Sequence, residues 1–261
     1  MRFMYVVSAK RLKQFFIIFT ALMMAIGIAY MEKETISAFT DGVSVGVMKD
    51  KSPQAIYKVD TKEKKLALTF DISWGETRTQ PILDILKEKQ VGKVTFFLSS
   101  PWSQRHPEMV KKIVDAGYEV GSHGHRHDNY SRYTEEEIRT QIGKAHTILS
   151  ELTGKKPNLI RLPNGDFDKR VLQTADSMGY TVIQWDTDSK DWLNPGVDQI
   201  VKNVVTKAHP GDIVLLHASD SCKQTHLALP VIIDKLRAEG YQFVTVSELL
   251  SGSQVKTQEV N

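Results

Sequence analysis

Three histidines alternate along the stretch SHGHRHDN, at positions 123, 125 and 127, in a chain of 261 residues that contains only eight. His123 and His127 are four positions apart. This spacing brings two imidazoles together on one helical turn or in a tight loop, as zinc and related ions require. His125 would point elsewhere in most such geometries. The stretch therefore predicts a pair of metal ligands at His123 and His127, although a histidine-rich loop can also simply be solvated.

Other polar side chains follow apolar runs that have the composition of β-strands. They are Asp71, Arg161, Asn164, Asp191, Trp192 and His217. Each has an ordinary alternative, such as a turn former for an aspartate, a surface cation for an arginine or a hydrogen-bonded core residue for a histidine. In a parallel α/β fold, however, the carboxyl ends of the strands meet at one rim. Their shared position after strands predicts an active site at that rim.

Seven β-rich runs alternate with amphipathic stretches in the part of the chain that would position these residues. The predicted strands are 66–71, 93–98, 118–123, 158–163, 180–186, 212–217 and 241–246. The predicted helices are 77–90, 106–117, 134–152, 168–179, 197–208 and 227–240, and Thr134 with Glu137 predicts a capping box. Strands that are apolar on both faces suit a parallel sheet covered by helices. We expect an α/β fold, a distorted parallel (β/α) barrel of about seven strands, with an open doubly wound sheet as the alternative.

The first segment predicts a membrane anchor. Residues 15–31 carry no charge and follow the basic residues Lys10, Arg11 and Lys13. This length and flanking charge are typical of a single-pass helix with the N-terminus in the cytoplasm and the following domain outside the cytoplasm. A cleaved signal that leads to export is the alternative. The expected organisation is an anchor over 1–31, a tether over 32–56, the folded domain over 57–250 and a polar tail over 251–261.

Composition excludes several other classes of protein. The net charge is only +3, which gives no case for a nucleic-acid partner. The single cysteine, Cys222, excludes an intramolecular disulfide framework. Hydrophobic residues make up 41% and charged residues 25%, as in an ordinary globular domain. The fold must therefore be held together by its apolar core.

The motifs TFDISWG, SHGHRH, RLPNG, DSKDW and LLH, in this order, resemble the five motifs of the NodB-like polysaccharide deacetylases (carbohydrate esterase family four) over about residues 57–250. With the N-terminal anchor, the chain is most similar to the sporulation-associated PdaB-type deacetylases of spore-forming bacilli. The resemblance implies hydrolysis of the N-acetyl groups of N-acetylglucosamine-type sugars in peptidoglycan or another N-acetylated glycan. It also implies a divalent zinc, cobalt or nickel ion as cofactor.

The resemblance assigns an acid–base role to four of the matching residues. Asp71 matches the general base that deprotonates the attacking water, and Arg161 matches the residue that holds its carboxylate. His217 matches the general acid that protonates the leaving amine, oriented by Asp191. The resemblance thus implies a proton acceptor and a proton donor on two different strands.

The remaining matches concern the metal and the substrate. His123 and His127 match the two histidine metal ligands, and the backbone N–H of Asn164 matches the oxyanion donor. Leu215 and Trp192 match the apolar wall around the acetyl methyl group. A tyrosine is usual at the position of Asn164, a mild difference because the implied donor is a backbone group.

One position departs from the family motif in a way that affects the chemistry. The second of two consecutive aspartates is the third metal ligand in the family, and Ile72 stands there in this chain. Isoleucine offers no donor atom, so Asp71, Asp128 or a water would have to complete the site, or the metal binds weakly or not at all. Two hypotheses follow: a membrane-anchored deacetylase outside the cytoplasm, or a catalytically weak or inactive relative that acts as a glycan-binding or structural protein.

Overall fold

The computed structural model of the chain describes residues 53–251 and 254–258. The predicted membrane anchor over 1–31 lies outside the described residues, as does most of the predicted tether over 32–56. Within the described ranges, none of the helices has the length and apolar character needed to cross a membrane. The first described strand begins at Ala55, close to the predicted start of the folded domain.

The described chain alternates strands and helices, as the sequence pattern predicts. The strands are β1 (Ala55–Asp60), β2 (Lys65–Ile72), β3 (Thr95–Leu98), β4 (Glu119–Ser122), β5 (Leu159–Ile160), β6 (Thr181–Val182), β7 (Thr187–Asp188), β8 (Ile213–His217), β9 (Gln242–Phe243) and β10 (Gln254–Gln258). The helices are α1 (Thr79–Glu88), α2 (Ser100–Arg105), α3 (Pro107–Asp115), α4 (Glu135–Thr153), α5 (Lys169–Ser177), α6 (Val197–Val205), α7 (Thr225–Ala238) and α8 (Val246–Ser251). Single turns of 3-10 helix lie at Tyr130–Arg132, Pro163–Gly165 and Asp191–Leu193.

Seven of the strands form a parallel sheet in the order β6-β5-β4-β3-β2-β8-β7. Every pairing along this path is parallel, and β9 pairs with the start of β2. Parallel neighbours need a crossover connection between them, and helices supply most of these connections. The architecture is a parallel half-barrel of seven strands, consistent with the predicted distorted (β/α) barrel.

The predicted strand over 180–186 differs from the structure, in which only residues 181 and 182 of this segment form a strand, β6, and the next strand, β7, begins at Thr187. The N–H of Ile183 donates to the carbonyl of Ile160 on β5 (2.8 Å), whereas the N–H of Asp186 donates to the carbonyl of Ile213 on β8 (3.1 Å). One extended segment, residues 181–188, therefore pairs with both edges of the sheet in turn. This sharing explains why neither half forms a long strand.

Strand β2 alternates between two buried environments. Its residues Leu66, Leu68, Phe70 and Ile72 belong to an apolar cluster shared with helix residues such as Ile82 of α1 and Ile232 of α7, which we call the helix-side core. Ala67, on the opposite face, packs in a second cluster with Phe97 and Ile213. Since successive strand side chains point to opposite faces, Thr69 and Asp71 share the face of Ala67.

The helix α4 starts as its sequence predicts. The Thr134 side chain accepts a hydrogen bond from the N–H of Glu137, and the Glu137 carboxylate accepts one from the N–H of Thr134 (2.8 Å). This reciprocal capping box satisfies two N–H groups that the helix itself leaves without partners. It fixes the point where the loop after β4 enters the helix.

The sequence pattern missed the short helix α2, which follows β3 directly. Pro101 lies in its first turn, where the fixed backbone angle and the missing N–H of proline suit a helix start. Trp102 is buried, and its Nε1 donates to the carbonyl of Gly75 (2.8 Å). The helix α2 therefore supports the loop that follows β2.

Strand β1 pairs antiparallel with β10, which lies in the predicted polar tail. Single bridges join Ile56 of β1 to Ile183, and Lys58 of β1 to Asp212. The segment before the barrel thus contacts both the β6 edge and the start of β8.

Candidate active site

Polar side chains from adjacent strands meet at the carboxyl rim of the sheet. Asp71 and His217 occupy paired positions of β2 and β8. His123 and Arg161 follow β4 and β5 directly, and their N–H groups continue the parallel hydrogen bonding of the sheet. The register of the sheet therefore brings residues that are far apart in sequence to one place, as the sequence analysis predicts.

The rim encloses a cavity of about 450 Å³. Predicted site residues that line it are Asp71, His123, His127, Asn164, Trp192, Leu215 and His217. Arg161 and Asp191 are fully buried, and each is hydrogen-bonded to a residue of the cavity wall. Convergent titratable groups in a concave site are what an enzyme active site requires.

His217 is held by a buried carboxylate. Its Nδ1 lies 2.7 Å from Oδ1 of Asp191, and its backbone N–H donates to Oδ2 of Asp191 (2.8 Å). The hydroxyl of Thr225 donates to the same Oδ2 (2.6 Å). Because an ionised carboxylate only accepts, Nδ1 of His217 is the donor in this pair and Nε2 is left for the substrate.

The environment of His217 favours its protonated form. Burial alone would lower its pKa, but the charge and hydrogen bond of Asp191 outweigh burial, and Asp71 adds to them. The pKa of His217 is therefore raised above its ordinary value of 6.5. A histidine with this shift can donate a proton near neutral pH.

Asp71 is paired with a fully buried arginine. Nη1 of Arg161 donates to Oδ1 of Asp71 (2.9 Å) and to the hydroxyl of Thr69 (2.7 Å). Its other guanidinium nitrogens donate to backbone carbonyls, of which that of Gln184 is nearest (2.8 Å), and the group lies over the Phe97 ring. This network fixes the arginine in one position, so the carboxylate of Asp71 is fixed as well.

The same pair controls the charge of Asp71. Burial acts to raise the pKa of this carboxyl group, but the Arg161 guanidinium, with smaller effects of His123 and His217, holds the pKa below its ordinary value. Asp71 is thus ionised at neutral pH. A buried carboxylate that remains charged and lines a cavity can accept a proton from a water there.

His123 and His127 follow β4, which lies on the other side of β2 from His217. Their ring centroids are 5.3 Å apart, and Nε2 of His123 is 4.0 Å from Oδ2 of Asp71. Nδ1 of His123 is 2.8 Å from the carbonyl oxygen of Arg161, which can only accept, so Nδ1 carries the proton and Nε2 offers a lone pair. Burial lowers the pKa of His123 to about 4 and also lowers the pKa of His127. Both rings are neutral at pH 7, the form in which imidazole binds a metal.

The third position of the implied metal site does not supply a ligand. Ile72 is fully buried in the helix-side core and does not line the cavity. Asp128, the other substitute considered, is exposed away from the cavity, and its carboxylate accepts a hydrogen bond from the Tyr133 hydroxyl (2.5 Å). Oδ1 of Asp71 is bound to Arg161, and Asp71, His123 and His127 are not one of the groups of three donors within 4.8 Å of one another among the described residues. The residues present therefore do not fit the two-histidine, one-carboxylate set, and only the two histidines match it.

Groups of three possible donors within 4.8 Å of one another occur elsewhere in the described part of the chain. One consists of Asp191, His217 and Cys222, and the other of Asp186, His209 and Asp212. The first belongs to the acid side of the cavity, where Asp191 already holds His217. The second lies outside the cavity.

Asn164 lines the cavity and has a left-handed backbone conformation, with φ of 59°. Asparagine tolerates this region better than most residues, which explains why the turn Pro163–Gly165 can form there. Its side chain donates to the amide oxygen of Asn129 (2.8 Å) and so fixes the turn. The turn is therefore suited to present a backbone N–H to a developing oxyanion, as the resemblance implies.

His125 is separate from this site, as the spacing predicts. Its Nδ1 lies 2.8 Å from the hydroxyl oxygen of Ser100, at the start of α2. Its backbone N–H donates to the hydroxyl of Tyr130. The middle histidine of the motif thus joins the loop to α2 and does not line the cavity.

Sequence reasoning missed Trp74, which lines the cavity and is 45% exposed. Its ring packs edge-on against His127, with centroids 5.3 Å apart. The loop around it is held by Asp220, whose carboxylate accepts the N–H groups of residues 76–78. The available signal in the sequence was a tryptophan three residues after the predicted base Asp71. A large apolar side chain exposed in a polar loop often marks a binding site.

Cys222 and Thr225 were also missed. Cys222 lines the cavity, where burial raises the pKa of its thiol to about 12, so it is a neutral part of the wall. Thr225 begins α7 and binds Asp191. Both residues lie within eight positions after His217, where the chain turns from β8 into α7. This proximity to a predicted site residue was the signal available in the sequence.

Comparison with known proteins gives the family of this chain. Residues 58–183 match the family model described as polysaccharide deacetylase. A peptidoglycan-N-acetylglucosamine deacetylase of Bacillus cereus is 38% identical over 197 residues, which are 74% of this chain and 92% of that protein.

Solved structures agree with this match. A wild-type pseudoenzyme of carbohydrate esterase family four from Bacillus anthracis is 36% identical, with a TM-score of 0.72 over 77% of this chain and 70% of that chain. A mutant of the same pseudoenzyme with restored enzymatic activity is 37% identical, with a TM-score of 0.72 over 77% of this chain and 73% of that chain. The chain therefore belongs to the polysaccharide deacetylase family, whose enzymes are hydrolases of carbon–nitrogen bonds other than peptide bonds.

Proposed function

We propose that this protein hydrolyses N-acetyl groups of N-acetylglucosamine-type sugars in peptidoglycan, with Asp71 as base and His217 as acid. The observation that carries the proposal is the pairing of these two residues. They occupy adjacent positions of β2 and β8 and face one cavity. Each is held by its own buried partner, Arg161 or Asp191. An acid and a base with pKa values shifted apart by their environments are the arrangement that amide hydrolysis requires.

The proposed reaction begins with a water between the base and the acetyl carbonyl carbon. Asp71 accepts a proton from the water as its oxygen bonds to that carbon. The oxyanion that forms accepts a hydrogen bond from the backbone N–H of Asn164. His217 then gives its Nε2 proton to the amide nitrogen as the carbon–nitrogen bond breaks, which yields a free amine and acetic acid, and the acid loses its proton to solvent as acetate. Asp71 returns its proton to His217 or to solvent before the next cycle.

Deacetylases of this family are metal-dependent, and this chain lacks one of the family's ligands. His123 and His127 remain as neutral donors, but the missing carboxylate at position 72 leaves the donor set incomplete. We assign no step to a metal ion here. The expected consequence is slower turnover than in relatives that retain the aspartate, because the acetyl carbonyl loses a source of polarisation.

Two exposed tryptophans support a glycan as the substrate. Trp74 and Trp192 line the cavity and are 45% and 50% exposed. Flat aromatic faces at a cavity rim suit the apolar faces of sugar rings, since they bury large area at little entropic cost. The Bacillus cereus relative, described as a peptidoglycan-N-acetylglucosamine deacetylase, supports the same substrate class.

The proposal includes attachment to the cell membrane with the domain outside the cytoplasm. The apolar residues 15–31 after a basic cluster motivate it, because peptidoglycan lies beyond the membrane. The proposed role in sporulation is motivated by the resemblance of the chain, with its expected N-terminal anchor, to the sporulation-associated PdaB-type deacetylases. Fractionation of cells that express the full chain and a variant lacking residues 1–31 tests the location. Equal recovery of both proteins in the soluble cytoplasmic fraction would contradict it.

Acetate release tests the activity itself. Purified protein is incubated with N-acetylglucosamine oligomers or cell-wall glycan and several divalent ions, in parallel with His217→Ala. We expect the variant to lose activity by about 10²–10⁴-fold, the contribution of a positioned acid. Equal acetate release by both proteins would rule out the proposal.

A second candidate function is glycan binding without turnover. The burial of Ile72 in the core favours it, and the Bacillus anthracis relative is described as a pseudoenzyme. In that case the protein binds glycan with the same affinity in the presence of a chelator and releases no acetate. Acetate release that a chelator abolishes would exclude this candidate.

A further inference from the structure

A cluster of charged residues lies at the opposite end of β8 from the active site. His209 and Asp212 immediately precede β8, whereas His217 ends it. Asp212 and His217 are five positions apart along an extended strand, which corresponds to about 16 Å. Asp186, between β6 and β7, completes the cluster. The cluster is therefore distinct from the cavity that holds Asp71 and His217.

The imidazole of His209 is oriented as a metal ligand would be. Its Nδ1 lies 2.9 Å from the carbonyl oxygen of Pro210, which can only accept, so Nδ1 is the donor. Its Nε2 lies 2.7 Å from Oδ2 of Asp186 and is the ring nitrogen that a metal ion would bind. Metal-binding histidines commonly donate their other ring N–H to a backbone carbonyl in this way.

Asp212 supplies an independent observation. It is fully buried, and its Oδ1 accepts the N–H of Thr187 (3.2 Å). Oδ2 is also buried and has no hydrogen-bond partner among the described residues. A buried carboxylate oxygen without a partner is costly unless a cation or donor compensates it.

We propose that Asp186, His209 and Asp212 bind a divalent cation of the zinc class, in a site separate from the deacetylase centre. Their donor atoms all lie within 4.8 Å of one another. Two ligands at about 2.0 Å from a tetrahedral ion are about 3.3 Å apart. Nε2 of His209 is 2.7 Å from Asp186 and 4.0 Å from Oδ1 of Asp212, which brackets that separation. One imidazole and two carboxylates, with a water as fourth ligand, are donors that zinc, cobalt and nickel accept.

Lys58 competes with the cation for this site. Its Nζ forms an ion pair with Oδ2 of Asp186 at 2.7 Å, and both side chains are about one-third exposed, 39% and 32%. The lysine can therefore swing into solvent when a cation binds. An ordinary ion-pair cluster predicts that loss of Lys58 only weakens the contact of β1 with the barrel. A cation site predicts that the same change strengthens metal binding.

The proposed site has a consequence for any measurement of metal content. A stoichiometric ion in the purified protein is expected even if the active site holds none. Metal content alone therefore does not show whether His123 and His127 bind an ion. This inference does not depend on the proposed function, because it concerns different residues.

Titration of the full chain with Co²⁺, followed by visible absorption and calorimetry, tests the proposal. The variants are His209→Gln at the new site and the double variant His123→Gln/His127→Gln in the cavity. We expect His209→Gln to weaken the binding of one Co²⁺ by at least about tenfold, whereas the double variant keeps that ion. Unchanged Co²⁺ affinity and spectrum in His209→Gln would overturn the proposal.

Two further variants protect the test against misfolding. Asp186→Asn changes a side chain that is one-third exposed, and circular dichroism checks that it folds; it too is expected to weaken the same ion by at least about tenfold. Lys58→Gln is expected to bind Co²⁺ more tightly than the unchanged protein, since it removes a competing cation. Weaker or equal binding by Lys58→Gln would contradict the proposal.

Discussion

The two walls of the cavity use histidine in opposite ways. His217 on β8 has its Nδ1 against the carboxylate of Asp191, and its pKa is raised. His123 after β4 has its Nδ1 against a backbone carbonyl, and burial lowers its pKa to about 4. The two rings differ in whether a charged or a neutral acceptor holds them. The surroundings thus make one histidine a proton donor and the other a neutral lone-pair donor.

The walls also differ in completeness. On the acid side, Asp191 receives hydrogen bonds from the ring and backbone of His217 and from Thr225, so its acceptor sites are well used. On the metal-ligand side, which consists of His123 and His127, the two imidazoles line the cavity without the carboxylate that the family places at position 72. We infer that the acid and base residues and their partners are all present and that the incomplete metal-ligand side limits the rate of the reaction. The following predictions test this contrast.

Arg161 links the two walls, and its loss is expected to have the largest effect. Its guanidinium holds Asp71, while its carbonyl oxygen holds His123. Arg161→Met should cost about 3–5 kcal/mol of unfolding free energy, because it leaves a buried carboxylate without its partner. Urea unfolding measures the loss. The control Arg161→Met/Asp71→Asn should be more stable than Arg161→Met alone, and a less stable double variant would show that the ion pair is not the cause.

Ile72→Asp tests the incomplete wall. A carboxylate at this position enters the helix-side core unless the end of β2 turns toward His123 and His127. The variant should therefore lose stability in the presence of a chelator and regain part of it with Zn²⁺. We expect the cavity to bind metal about 10–100-fold more tightly than in the unchanged protein. Calorimetry in a His209→Gln background measures this affinity at the cavity alone.

The matched control for that variant is Ile72→Asn, which introduces a polar group of the same shape with a much weaker donor. It should lose stability without recovering it when Zn²⁺ is added. If Ile72→Asp and Ile72→Asn respond alike to the ion, position 72 does not reach the metal. The alignment of the first motif would then be wrong.

Asp191→Asn tests the acid side of the cavity through the pH dependence of protein stability. Because the pKa of His217 is raised in the folded protein, the pair stabilises the fold fully below pH 6.5, and this contribution is lost as pH rises through the folded pKa. The stability difference between the unchanged protein and Asp191→Asn should thus be larger near about pH 5.5 than near about pH 9. Urea unfolding at both pH values measures it. A difference that grows with pH would contradict the assignment.

Trp74 borders the incomplete wall and is expected to give the smallest effect. Its ring packs against His127 but is nearly half exposed, so it is free to contact a sugar. Trp74→Ala should raise KM for N-acetylglucosamine oligomers by about three- to tenfold, with little change in kcat. Trp74→Phe, which keeps an aromatic face, should recover most of the loss. A fall in kcat alone would assign the residue to positioning of His127 instead.

The sequence predicts the rim of the site better than what lies behind it. Asp71, His123 and His217 follow recognisable strands, and the parallel sheet places strand ends together whatever the loop details. The burial of Arg161 is different, because it depends on contacts with Thr69 and Gln184 that are distant in sequence. Local patterns carry no information about such long-range contacts.

The errors in the fold have a similar origin. Residues 180–186 have the composition of one strand, but the segment is shared between β5 and β8, and only the tertiary arrangement divides it. The helix α2 is a six-residue turn whose stability comes from burial of Trp102 and not from an apolar period. The cluster of Asp186, His209 and Asp212 escaped notice because its members lie on two segments without a motif.

The central claim is that the acid–base side of the cavity is complete and that the metal-ligand side limits the rate of the reaction. Acetate release by Ile72→Asp tests this claim most directly. The unchanged protein, Ile72→Asp and Ile72→Asp/His217→Ala are compared on N-acetylglucosamine oligomers with Co²⁺. The account predicts that Ile72→Asp releases acetate faster than the unchanged protein and that removal of His217 abolishes the gain. If Ile72→Asp is no faster, or if the double variant keeps the gain, the account is contradicted.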